Sequence, residues 1–370
     1  MADITKSEIL NTLKKLNDPN LKTDHLTLNS IKDFSLEKDS LKIEISIPSA
    51  DGRIEKKSYE KMVDAIKKEH SSLKEIHLNV QSIKPIVSTH QDPKKDELLP
   101  EVKNTIAVAS GKGGVGKSTV AVNVAVALAK DGAKVGLIDA DIYGPSIPLM
   151  LGVQQKPKVF KTESGMKMEP VLSYGIKLIS IGFLVDDKAP VIWRGPMVSG
   201  AIKQFMADVV WGELDYLVFD MPPGTGDIQL TLVQTVPLTG AVIVTTPQEV
   251  ALIDARKALK MFNRVNVPVL GIVENMSYFI APDTGNRYDI FGAGGGEKLS
   301  EELQTTFLGS IPIDARIREG GDKGVPIIHD DPDTKHAAAI MDITHNIVEQ
   351  VNIRNSKSTG KVEILLGNND

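Results

Sequence analysis

The chain runs to 370 residues, 41% hydrophobic and 25% charged, with a formal net charge of −5 and no cysteine. That length predicts two domains, at roughly 100–200 residues each, and the mixed composition excludes a disordered polymer. The acid excess excludes capture of nucleic acid by bulk charge, while zero cysteine excludes disulfides, thiolate nucleophiles and cysteine-held metal within the chain.

The opening Met1-Ala2-Asp3-Ile4-Thr5-Lys6 lacks the basic-then-apolar layout of a signal peptide. No apolar run approaches the ~18 residues of a membrane span. A cytoplasmic location with neither membrane nor nucleic-acid partner is expected. Over residues 1–84, Ile9, Leu13 and Leu16 stripe one helix, and Met62, Ala65 and Ile66 stripe another near Glu60–Lys68. Between them the alternating segments Leu26-Thr27-Leu28 to Phe34 and Leu41 to Ile47 predict strands. The expectation is a small α+β domain. Residues 85–104, with the polar Gln91-Asp92-Pro93-Lys94-Lys95-Asp96-Glu97, predict a linker.

From Thr105 to about residue 355, continuous apolar runs alternate with helical patterns: Ile106–Ala109, Val135–Ile138, Leu178–Ile181, Tyr216–Phe219, Ala241–Val244, Val269–Val273 and Phe307–Ile311. Uninterrupted apolar strands separated by helices predict an α/β domain, its mostly parallel sheet covered on both faces. Residues 356–370 predict a loose tail.

The first of these runs leads into Gly111-Lys112-Gly113-Gly114-Val115-Gly116-Lys117-Ser118-Thr119, and a helix-prone stretch follows. Strand, glycine turn and helix in that order make a P-loop, since curled glycine backbone aims amides at phosphate oxygens and the helix N-terminus adds its dipole. A chance glycine turn explains this order less well. Lys117 is then placed on the β- and γ-phosphates of ATP and the Ser118 hydroxyl on magnesium. Lys112 occupies a position where the motif asks for nothing. A cation there could reach a phosphate held by another subunit.

The second strand ends in Asp139-Ala140-Asp141, placing two carboxylates at the sheet edge where α/β folds bind ligands. Another runs Leu217-Val218-Phe219-Asp220 into Met221-Pro222-Pro223-Gly224, which delivers Asp220 to the metal and offers a Gly224 amide to a γ-phosphate. The seven histidines, His25, His70, His77, His90, His329, His336 and His345, show no metal-ligand spacing.

Lys112 to Ser118 resembles the deviant P-loop ATPases of the MinD/ParA type. That resemblance implies a homodimer sandwiching two ATP molecules, with Lys112 acting in trans. It makes Asp139 and Asp141 the switch I pair: Asp141 orients water beside the magnesium, and Asp139 supports it and joins Ser118 and Asp220 in the metal set. It places Asn275 on the adenine, with Pro312-Ile313-Asp314 lining the base pocket. Asp141-Ile142-Tyr143-Gly144-Pro145-Ser146, Trp193-Arg194-Gly195-Pro196, Asp220 to Asp227, and Glu274-Asn275-Met276-Ser277 together resemble the Mrp-type iron–sulfur cluster carrier ATPases. Leu16-Asn17-Asp18-Pro19 resembles the iron–sulfur-assembly domain fused ahead of them. The resemblance implies a dimer that carries a cluster at its boundary and exchanges it with scaffold proteins or apoproteins under ATP control.

Many members of that family place Cys-x-x-Cys where this chain has Ala281-Pro282-Asp283-Thr284. Hard oxygens such as Asp283 hold soft iron poorly. Three readings follow: transient cluster holding with a partner's cysteines, an ATPase subunit without iron, or departure from cluster work. Beside them stand a MinD/ParA-like positioning switch, against which the short, acid-ended tail argues, and a phosphotransferase, for which no second-substrate pocket is legible.

Overall fold

A computed structural model of the chain describes residues 4–16, 31–37, 40–48, 56–70, 73, 75–83, 98–163, 165–184 and 195–358. Several sequence expectations lie outside these residues: Asp18-Pro19, Leu26 to Ser30, His25, His90, the linker stretch 85–97, Trp193-Arg194 and residues 359–370. Two compact units are present, the smaller made of Met1–Ser88 with Asn355–Asp370 and the larger of Thr89–Arg354.

In the smaller unit, helix α1 (Lys6–Lys14) starts at a capping box in which Thr5 and Glu8 satisfy each other's backbone amides. Strands β1 (Ile31–Glu37) and β2 (Ser40–Pro48) pair antiparallel. Helix α2 (Lys56–Glu69) then crosses over so that β3 (Glu75–Ile83) runs parallel to β2. Alternation along β2 buries Leu41, Ile43 and Ile45 against Ile9, Leu13, Met62 and Ile66 of the helices. The third strand was not anticipated: in Glu75–Ile83 the apolar residues Ile76, Leu78 and Val80 alternate with polar ones beside a charged helix.

The larger unit holds an eight-stranded sheet. Its strands, in chain order, are β4 (Val102–Ala109), β5 (Val135–Asp139), β8 (Val171–Ser173), β9 (Ile176–Ser180), β10 (Leu214–Asp220), β11 (Gly240–Thr245), β12 (Val269–Glu274) and β15 (Phe307–Ser310). Across the sheet they lie in the order β15-β12-β11-β4-β10-β5-β9-β8, parallel except for the edge strand β8. All seven expected runs are strands. The first starts at Val102 rather than Ile106, within the expected linker, because Val102 and Asn104 already pair with Leu214 and Tyr216. Alternate residues feed two cores: Ala107, Ile138, Phe219 and Ile243 on one face, Ile106, Leu137, Val218 and Val242 on the other.

Helix α3 (Lys117–Lys130) is buried from Val120 to Leu128 against the second face. Flanking helices are α4 (Ile147–Met150), α5 (Gly195–Asp208), α6 (Asp227–Thr235), α7 (Glu249–Arg264), α8 (Gly295–Glu302), α9 (Ala315–Lys323), α10 (Ile327–Asp330) and α11 (Lys335–Ser358). The last buries Ala337, Ile340, Ile343, Ile347 and Val351 at helical spacing and continues to Ser358, past the expected start of the tail. Two hairpins stand off the sheet, β6 (Lys158–Thr162) with β7 (Gly165–Glu169), and β13 (Phe279–Ile280) with β14 (Arg287–Tyr288). Among the described residues no helix is long and apolar enough to cross a membrane.

Candidate functional site

The turn from Ser110 to Gly116 joins β4 to α3 at the carboxyl edge of the sheet, beside the central strands β10 and β5. Two of its glycines are required by geometry. A Cβ on Gly111 would stand 2.0 Å from the Asp254 carbonyl oxygen, and one on Gly116, at φ +82°, would stand 2.1 Å from Asn275 Nδ2. That amide donates to the Val115 carbonyl at 2.9 Å and so pins the turn from below. Gly116→Ala should therefore strain the backbone and displace Asn275, a cost of about 2 kcal/mol. The thermal midpoint should fall by several degrees and nucleotide affinity at least about tenfold, which differential scanning and calorimetric titration would check. Gly113, Gly114, Gly116, Lys117, Ser118 and Thr119 line a cavity of about 220 Å³ at the head of α3, where the helix dipole favours phosphate.

Strand register brings the acids together. Asp220 lies opposite Asp139, and Asp139 opposite Ser180, in one row across the sheet edge. Lys117 Nζ donates to Asp220 Oδ1 at 2.6 Å and to Ser118 Oγ at 3.1 Å, and lies 3.3 Å from Asp141 Oδ2. Ser118 Oγ donates to Asp220 Oδ2 at 2.6 Å. Lys117 is 6% exposed and Asp220 is fully enclosed. Burial pushes the Asp220 carboxyl above its ordinary range, with Lys117 pulling it back. Asp139, also enclosed, accepts from Ser180 Oγ at 2.9 Å and from the amides of Asp141 and Ile147. Burial first and the Asp220 charge second push it up to about 8.

These contacts place Asp139 as the brace that holds the Asp141 turn, its oxygens already engaged by three donors, and leave Ser118 and Asp141 on the cavity wall, with Asp220 enclosed behind Lys117 and Ser118. Among the described residues no group of three or more histidine, aspartate or glutamate side chains forms a metal cage. One or two carboxylates and a hydroxyl, completed by phosphate oxygens and water, is nonetheless the hard-oxygen set that magnesium takes.

A second cavity of about 690 Å³ continues from the first. Thr119, Ser146 and Met150 line both. Its walls include Asn275, Met276, Pro312 and Ile313, so the two predicted base-pocket positions do lie together. Met276 holds a left-handed φ of +53°, turning the chain sharply out of β12.

Other expectations meet a more particular geometry. The Gly224 amide already donates to the Ser110 carbonyl at 3.0 Å. Sensing a γ-phosphate therefore requires that bond to open. Lys112 is exposed, and no acid among the described residues lies within ion-pair distance of its ammonium. Ala281 to Thr284 form the tip of the β13–β14 hairpin, closed by the Ala281 amide on the Asn286 carbonyl, with Asp283 Oδ1 accepting from the Thr284 amide. His336 is committed to Asp314 and His345 to Asp131.

Sequence reasoning missed Ser180, Ser110, Glu274 and the pair Ile290 and Phe291. Ser180 was findable, since it ends a strand at the same edge as the acids. Glu274, buried, accepts from Ser277 Oγ and from the Gly296 amide at 2.6 Å, tying β12 to the head of α8. Ile290 and Phe291 sit between an aspartate and a glycine run without periodicity, and no local signal marks them.

A family model described as ParA, NUBPL iron-transfer P-loop NTPase, matches residues 101–348. A Synechocystis protein named iron–sulfur cluster carrier protein is 48% identical over 352 residues, covering 95% of this chain and 99% of its own. Its Escherichia coli (strain K12) namesake is 43% identical over 347 residues, covering 94% and 92%. A nucleotide-binding protein from Archaeoglobus fulgidus, solved in complex with ADP, is 44% identical with a TM-score of 0.56, covering 63% of this chain and 91% of that one. The cell division ATPase MinD of Pyrococcus furiosus, 22% identical with a TM-score of 0.50 over 66% of this chain and 98% of its own, shares the fold. The glycine turn and the buried lysine–carboxylate cluster share one sheet edge, and by the family match over residues 101–348 and a near full-length relative at 48% identity this chain belongs to the ParA-type iron-transfer P-loop NTPases.

Proposed function

We propose that the chain is a magnesium-dependent, homodimeric ATPase that drives assembly or transfer of iron–sulfur clusters to apoproteins. The observation that carries this reading is Lys117 held between Asp220 and Asp141 at the head of the glycine turn, on a chain 48% identical to a named cluster carrier. In that reading the amides from Gly113 to Lys117 take the phosphates, and Lys117 leaves the carboxylates for the β- and γ-oxygens. Ser118 and Asp220 are thereby freed to hold magnesium, which neutralises charge on the phosphate oxygens when bound. Asp141 orients the water that attacks the γ-phosphorus as the bond to ADP breaks. Asp139 braces that turn. The Gly224 amide exchanges the Ser110 carbonyl for a γ-oxygen, and Lys112 adds positive charge across the two-fold axis. Asn275 and Pro312 border the adenine.

The cluster is cargo, and this chain has no thiolate to hold it. Cysteines of a scaffold or acceptor protein therefore carry the iron, with this chain as the ATPase subunit in the cytoplasm. Residues 1–84 act as the iron–sulfur-assembly-type domain, followed by the ATPase domain that starts with β4 at Val102 and ends in α11. The test is anaerobic transfer of a [4Fe–4S] cluster from a loaded scaffold protein to an apo-acceptor, followed by visible absorbance. ATP with magnesium should accelerate transfer in the presence of the chain, and the chain alone should retain no iron. Equal rates with and without ATP, joined to ATP-dependent pelleting with vesicles or DNA, would favour the positioning switch instead.

A further inference from the structure

The segment from Ser277 to Gly296 leaves the sheet and returns as an arm. Its base is fixed: the Ser277 amide donates to the Ile311 carbonyl at 2.9 Å, the Ile313 amide to the Tyr278 carbonyl at 2.7 Å, and the Gly296 amide to buried Glu274. Beyond that base, residues 282–293 are exposed, and the internal contacts are local to the arm: the Phe279–Tyr288 and Ile280–Arg287 pairs, Arg287 over the Tyr278 ring at 4.2 Å, Arg287 Nε on Asp289, and short-range turn hydrogen bonds such as Gly285 amide to Ala281 carbonyl, Asn286 amide to Thr284 Oγ1 and Gly292 amide to Asp289 carbonyl. Gly285, Gly292 and Gly294 hold positive φ, so the arm turns where glycine permits.

Two of the arm's exposed side chains, Ile290 at 57% and Phe291 at 38%, line the 690 Å³ cavity together with Pro312, Ile317 and Met150. Large apolar side chains left open on a concave wall lack a packing partner, and a flat aromatic ligand supplies one. The cavity's shared border with the phosphate cavity at Thr119, Ser146 and Met150 identifies that ligand as the base of the nucleotide whose phosphates sit on the glycine turn.

We propose that Phe291, seconded by Ile290, packs against the purine base, so that the base and not the phosphate chain fixes the arm of residues 279–293. This rests on the ATPase reading above and adds to it a second, base-dependent link from the nucleotide to an exposed surface. A bound nucleotide then leaves the arm ordered even after the γ-phosphate has gone. Phosphate alone leaves it free.

The test compares magnesium ADP with magnesium tripolyphosphate on the full chain. Phe291→Ala should lose about tenfold in ADP affinity, the scale of one aromatic–base stack, with tripolyphosphate affinity unchanged within about twofold. Phe291→Trp should keep ADP affinity. In the unsubstituted chain, ADP should slow trypsin cleavage after Arg287 several-fold while tripolyphosphate should not, a readout that needs no variant to fold. Equal losses for both ligands, no loss for ADP, or equal protection of Arg287 by both would overturn the proposal and leave the ATPase reading standing. Failure of the unsubstituted chain to bind either ligand would remove both.

Discussion

Lys117→Ala is expected to abolish ATP turnover, with kcat down at least about 1,000-fold and ATP affinity down at least about 100-fold. The ammonium is nearly enclosed, 2.6 Å from Asp220 and 3.3 Å from Asp141, with Asp139 close behind. Without it, three carboxyl groups share a pocket from which water is largely excluded. The substitution removes the cation that meets the phosphates and leaves the acids that repel them. Breaking a buried pair from one side costs about 3–5 kcal/mol, of which proton uptake by the raised Asp220 carboxyl recovers part. The substituted protein should consequently be less stable above neutral pH than below it. The folded pKa values of Asp139 and Asp220 lie above the unfolded ones, so their protonated forms favour the fold, and that contribution fades as pH climbs through about 8, the value for Asp139. Phosphate-release assays and thermal melts at pH 6 and 9 measure both effects. Turnover within tenfold of the unsubstituted chain would sink the assignment of Lys117.

Lys112→Ala should behave differently, with kcat reduced about 100-fold or more and ATP dissociation constants changed by less than about threefold. The reason is its position on the same turn, pointing to solvent with no acid partner among the described residues. A charge that neutralises nothing in its own subunit contributes little to ground-state binding. Its effect should be confined to the state in which a second copy presents its γ-phosphate. Specific activity of the unsubstituted chain should accordingly rise with protein concentration, as dimers form, and that of Lys112→Ala should stay flat. Equal turnover in the two proteins at saturating ATP would rule out the trans-acting lysine.

The two lysines were legible for different reasons. Lys117 follows from a motif whose chemistry is local: a strand, a glycine turn and a helix N-terminus are consecutive in the chain, so their spacing alone specifies a phosphate cradle. Asp139, Asp141 and Asp220 were legible because each ends an apolar run, and strands of a parallel sheet present those ends along one edge. Nothing in the spacing of residues 139 and 220 states that they lie opposite each other, however. That depends on β10 inserting between β4 and β5.

The same distinction runs through the rest of the molecule. Local periodicity and turn chemistry determined the seven apolar strands, the α+β character of the first unit and the cradle, because each arises from neighbours in sequence. The third strand of the small sheet carries the same signal, since Ile76, Leu78 and Val80 alternate with polar residues as a half-buried strand requires, and it was legible though not read. Only tertiary structure decided that Asn275 props the glycine turn from 160 residues away, that Ser110 holds the Gly224 amide, and that Phe291 returns from an exposed arm to a cavity walled by Pro312. Each of those is a contact between loops, and loop positions are set by the elements they join rather than by any pattern within themselves.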